Sequence, residues 1–195
     1  MDILMTAFNS AEDGDRILIS FPDTYSFYAV SRWLSEQFGD PIWILWTDAA
    51  VERINHLGKK YGFPTFGEAV IIGSRKECEF LNVIGRHDVF DDPGTIMNSV
   101  QSQNRIIISL GINFLELFGY SLSKAIEILI EHEKGIMCTA IIGETPEKVL
   151  PFHDVIIEIK KSEDSFLSFH TYIARMRFSM EGGVAEVGDV LPLNE

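Results

Sequence analysis

The chain has 195 residues, 46% hydrophobic and 23% charged, a composition that excludes a disordered or fibrous protein and fits one domain, residues 1–195, with a substantial core. Its 16 Lys and Arg against 29 Asp and Glu leave a net charge of −13, a field that repels phosphate backbones and anionic lipid, so neither nucleic-acid nor membrane partners are expected. Cys78 and Cys138 stand far apart with no CxxC and no paired His spacing, which gives a disulfide scaffold or zinc module little support and points to a reducing, cytoplasmic setting.

Met1-Asp2-Ile3-Leu4 opens without a basic segment, and no apolar run approaches the ~20 residues of a membrane span. The turn Asp13-Gly14-Asp15 precedes Arg16-Ile17-Leu18-Ile19-Ser20, a short β-branched run that predicts a buried strand. Beyond Pro22 the period changes: Phe27, Val30, Leu34 and Phe38 recur at helical spacing until Gly39-Asp40-Pro41 ends the helix. Ile42 to Trp46 predicts a second strand. Thr47 or Asp48 is expected to cap the next helix, whose stripe is Val51, Ile54, Leu57 and Tyr61 before Gly62-Phe63-Pro64.

Ala69 to Gly73 predicts a third strand. Residues 74–95 read as the least regular stretch, with Gly85, Pro93, Gly94 and the acids Asp88, Asp91 and Asp92 beside His87. Such carboxylates suit hard cations, but the glycine-spaced pattern of a calcium loop is missing, so a solvated loop is the expectation. Cys78, among Lys76, Glu77 and Glu79, is expected at the surface. A short helix at Ile96, Met97 and Val100 leads to the strand Arg105-Ile106-Ile107-Ile108-Ser109.

Leu122, Ala125, Ile126, Leu129 and Ile130 form a helical stripe that ends before Gly135. Glu131-His132-Glu133 lacks HExxH spacing and reads as a helix-terminal surface cluster. Ile136 to Ile142 predicts another strand, Pro146 to Leu150 a helical turn, and Val155 to Ile159 a further strand. Ser165 to Ser179 and Gly183 to Val187 suggest an antiparallel pair at one sheet edge. Strands of this length alternating with helices predict an α/β domain with a mostly parallel sheet covered on both faces.

In such a domain the first strand-to-helix turn is where a phosphate loop would sit, and here it is Ser20-Phe21-Pro22-Asp23-Thr24-Tyr25-Ser26-Phe27. Ile17 to Ser20 with Pro22 and Thr24, Ile42 to Asp48 with Tyr61-Gly62-Phe63, Arg105 to Leu110, Leu150 to Ile156 and Ala174 to Phe178 together resemble the RecA-type ATPase core in its KaiC/RadA-like branch. The resemblance spans Gly14 to about Gly183 and implies a three-layer RecA-like P-loop NTPase fold. Ser20, Asp23 and Tyr25 stand where that family has glycines, Ser26 where it has the phosphate-binding Lys, and Phe27 where it has the magnesium-binding hydroxyl. Ile108, followed by Ser109, takes the place of the Walker B Asp, and Asp48 alone keeps an acid near the catalytic carboxylates. Such replacements remove the point charge and the metal on which phosphoryl transfer depends. The chain also resembles uncharacterised archaeal families with this kind of eroded core.

The resemblance therefore implies a degenerate, non-enzymatic KaiC-like domain with no cofactor and no catalytic residue, acting through a protein partner or self-association in a regulatory role. Tyr25, Phe27 and Tyr28 are expected to close the old pocket. The alternative is a small-molecule or nucleotide-binding module in the crevice at the strand carboxyl ends, lined by Ser20, Thr24, Ser26, Asp48 and Ser109.

Overall fold

The computed structural model describes residues 2–62, 67–100, 106–161, 172–178 and 187–191. The chain opens with a helix the sequence pattern did not predict, α1 (Asp2–Ser10), followed by β1 (Arg16–Phe21), α2 (Thr24–Phe38), β2 (Ile42–Trp46), α3 (Thr47–Tyr61) and β3 (Glu68–Ile72). Next come β4 (Asn82–His87), α4 (Pro93–Val100) and β5 (Ile106–Leu110), then two 3-10 turns, Ile112–Phe114 and Glu116–Phe118. The series ends with α5 (Ser123–Ile130), β6 (Ile136–Ile142), a 3-10 turn (Glu147–Phe152), β7 (Val155–Lys161), β8 (Tyr172–Phe178) and β9 (Val187–Leu191).

The nine strands form one sheet in the order β4-β3-β2-β5-β6-β1-β7-β8-β9. Every pairing from β4 to β7 is parallel, and β7–β8 and β8–β9 are antiparallel. The crossovers place helices on both faces. Isoleucines, Trp43 and Leu45 on alternate strand positions meet Leu4, Phe8, Phe27, Leu34, Ile54 and Leu57 of α1, α2 and α3. Leu18, Ile44, Trp46 and Ile107 meet Ile96 and Met97 of α4 and Ile128 and Leu129 of α5. Central strands are thus buried on both faces, which is why they read as unbroken apolar runs.

Residues 74–95 are more regular than expected. They contain β4, whose side chains alternate between exposed and half-buried because it is an edge strand with solvent on one side. Arg105, Phe63 and Pro64, together with 165–171, 179 and 183–186 of the expected edge pair, lie outside the described residues. Among the described residues no helix is long and apolar enough to cross a membrane.

Candidate functional site

β1 runs straight to Phe21, and only Pro22 and Asp23 separate it from α2. Asp23 is the N-cap: its Oδ1 accepts hydrogen bonds from Ser26 N at 2.8 Å and Ser26 Oγ at 3.0 Å. Its Oδ2 lies 2.8 Å from Lys161 Nζ. The first turn of α2 therefore carries a carboxylate of its own chain at the end where a helix attracts anions. At a position where the resemblance expects a loop glycine, Asp23 is thus a helix cap.

Ser26 is fully buried beneath that cap. Phe27 is also fully buried, edge-on to Phe21 at 5.4 Å and to Trp43 at 6.2 Å. Tyr28 stacks on Tyr61 with centroids 4.8 Å apart, and Tyr25 meets the same ring at 6.0 Å. These aromatics join α2 to α3. Ile108 is core, 1% exposed, and Ser109 Oγ accepts from Trp46 Nε1 at 3.0 Å across the β2–β5 pair.

Neither expected cap of α3 acts as one. The N-cap position falls on Trp46, with no side-chain hydrogen bond. Thr47 adopts φ 63°, a left-handed conformation costly for a β-branched residue, and its buried Oγ1 has no hydrogen-bond partner. Asp48 turns to the neighbouring strand end, where its Oδ1 accepts from Ser74 Oγ at 2.5 Å.

The residues expected to line one crevice are consequently spread over several places. Ser26 and Ser109 are buried, Asp48 is with Ser74, and Thr24 Oγ1 accepts from Arg53 Nη1 at 3.0 Å. Ser20 alone of that set lines the cavity of about 430 Å³ at the carboxyl ends of β1 and β7, whose lining combines the apolar Leu18, Leu150 and Ile156 with the polar Thr145, Glu158 and Lys160.

Arg53 gave no signal in the sequence. Its guanidinium stands 5.5 Å over the Phe114 ring, and burial pushes its pKa down. Its neighbours come from elements distant in sequence, so no local spacing could have announced it.

Other expectations are corrected. Cys78 is buried, in a loop pinned to α3 by Asn55, which donates to Glu77 O and accepts from Glu79 N. Burial pushes its thiol pKa up, and that of Cys138 up to about 12. His132 is 5% exposed rather than at the surface; its Nε2 donates to Gly135 O, and burial lowers its pKa. Asp91 Oδ2 accepts from Asp88 N, Asp88 Oδ1 from Phe90 N, and Asp92 Oδ2 from Thr95. Among the described residues no group of three or more His, Cys, Asp or Glu is placed to hold a metal ion.

No protein-family model matches the chain. An uncharacterized protein of Archaeoglobus fulgidus is 56% identical over 195 residues, covering 100% of both chains. A solved Pyrococcus horikoshii structure superposes with a TM-score of 0.61 at 15% identity, covering 98% of each chain. A KaiC-like protein of the same organism superposes with a TM-score of 0.55 at 10% identity, covering 93% of this chain and 87% of its own. The α/β sheet with helices on both faces is thus the fold of a KaiC-like protein.

Proposed function

The chain belongs to one family with the Archaeoglobus fulgidus protein, and from that premise we propose that it is a RecA/KaiC-like domain that does not hydrolyse ATP and acts by protein–protein contact or assembly, in a regulatory role. The observation that carries this reading is the closed N-terminus of α2. Asp23 caps the helix and pairs with Lys161, so an incoming phosphate would have to displace a carboxylate from the same donors. Lys is absent from the loop, and Phe27 is buried where the resemblance expects a magnesium-binding hydroxyl. The contact role is supported by Phe90, Leu117 and Phe118, which are 74%, 79% and 46% exposed in loops at the carboxyl end of the sheet.

Thermal denaturation with ATP, with and without magnesium, tests the first half. No magnesium-dependent rise in Tm is expected, and a clear rise would overturn the reading. Light scattering over a concentration series tests the second half, with a defined oligomer expected.

A second reading, a small-ligand module, is favoured by the 430 Å³ cavity beside Ser20. A Tm rise with a metabolite, lost on filling that cavity by Ser20→Phe, would promote it.

A further inference from the structure

In a protein of net charge −13, the carboxyl ends of β3 and β4 gather positive charge. A cavity of about 430 Å³ opens there, with Arg75, Arg86, His87 and Tyr120 in its lining. β1 and the closed turn after it lie beyond β2, β5 and β6 in the sheet, so this cavity is separate from the region of the α2 N-terminus.

The two arginines and His87 are held in different ways. Arg86 donates from Nη1 to Ser74 O at 3.0 Å and from Nη2 to Lys76 O at 2.9 Å, which fixes the plane of its guanidinium while leaving further N–H donors of the fork. Arg75 is exposed, and neither arginine forms an ion pair among the described residues. His87 is oriented from both sides, Nδ1 lying 3.4 Å from Asp91 Oδ2 and Nε2 3.3 Å from Ser99 Oγ. Both arginines line the same cavity, so an anion seated in it is attracted by two positive charges.

Carboxylates are present too, and they narrow the ligand. Asp48 is bonded to Ser74, and nearby Lys76 is paired with Glu52. Asp88 lies on the cavity wall with Oδ1 accepting from Phe90 N, so its second oxygen is an acceptor suited to a hydroxyl. Tyr120, on the lining, meets the 74% exposed Phe90 edge to face with centroids 6.0 Å apart, so an aromatic pair lies beside the cavity. The volume is that of a small-molecule site and much larger than a bare anion needs.

We propose that this cavity binds a phosphate monoester of a sugar or nucleoside, its phosphate between Arg75 and Arg86, beside His87, and a hydroxyl on Asp88. The bidentate fork of arginine matches phosphate oxygens, and the aromatic pair suits a ring. The proposal is independent of the reading of α2, since it uses none of the same residues.

Calorimetric titration of the full chain with adenosine 5′-monophosphate, ribose 5-phosphate, inorganic phosphate and adenosine tests it. Both esters are expected to bind without magnesium, more weakly as salt rises, with inorganic phosphate weaker and adenosine silent. Arg75→Glu, at an exposed position, is expected to weaken the esters by at least about tenfold, and Arg86→Lys, which retains the charge but not the fork, by a smaller factor. Failure of both esters to bind at millimolar concentration would overturn the proposal. So would unchanged affinity in Arg75→Glu and Arg86→Lys, or binding that requires magnesium.

Discussion

Asp23 Oδ2 and Lys161 Nζ, 2.8 Å apart, tie the N-terminus of α2 to the end of β7, while Oδ1 of the same carboxylate caps the helix. Two contributions can be separated by mutation. Asp23→Ala removes the cap and the pair together and is expected to cost about 1–2 kcal/mol in urea denaturation, the excess over Lys161→Ala being the cap. Lys161→Ala breaks only a partly exposed pair and should cost less than about 1 kcal/mol.

Phe27 offers a test of whether the old site can be rebuilt. The side chain is fully buried against Phe21 and Trp43, so Phe27→Ser leaves a cavity and should cost about 3–5 kcal/mol. The restored hydroxyl is expected to bring no magnesium-dependent Tm rise with ATP, because no Lys accompanies it in the loop.

His153 makes stability depend on pH. Its Nδ1 donates to Val149 O at 2.8 Å, so Nε2 is the acceptor and takes the Thr139 hydroxyl at 2.7 Å. Burial lowers its pKa from 6.5 to about 4. The unfolded chain therefore binds the extra proton first, and stability falls as pH drops from 6.5 to about 4, by about 3 kcal/mol in total, then levels off. His132, lowered by the same cause, adds to the slope in the same direction. Denaturation over that window checks the sign, and His153→Gln should flatten it.

Gly111 ends β5 at φ 100°, and a Cβ there would lie 2.9 Å from both Ala50 Cβ and Trp46 O. The main-chain oxygen cannot move aside as a flexible side chain would. Gly111→Ala is expected to destabilise by more than about 1 kcal/mol, read as a lower denaturation midpoint at unchanged slope.

Leu117 and Phe118 are largely exposed in one 3-10 turn. If assembly uses that surface, Leu117→Asp with Phe118→Glu should lower the scattering mass while leaving Tm nearly unchanged.

The parallel core was legible because its strands are apolar on both faces and its helices α2 and α3 carry one clear stripe each. α1 has the same kind of stripe in Ile3, Leu4, Ala7 and Phe8, but at nine residues it offers only about two turns of it, too short a pattern to stand out. β4 escaped for the opposite reason: as an edge strand it has no apolar run. At the candidate site, Asp23 directly before the α2 stripe has the residue type of an N-cap, whereas its pairing with Lys161 of β7 joins positions far apart in the chain. Arg53 over Phe114, His153 against Thr139 and the Arg75–Arg86–His87 cavity join separate elements, a kind of proximity that only folding creates.

β2 carries an indole into each layer: Trp43 into the one with α1, α2 and α3, Trp46 into the one with α4 and α5. Both are at most 1% exposed. The strand is therefore a two-channel fluorescent reporter. With Trp33 and one of the pair changed to Phe, the remaining emission follows water entering one side of the sheet alone. Coincident red shifts from the two single-tryptophan proteins would mark one cooperative unit, and separated midpoints would mark two layers that melt in turn.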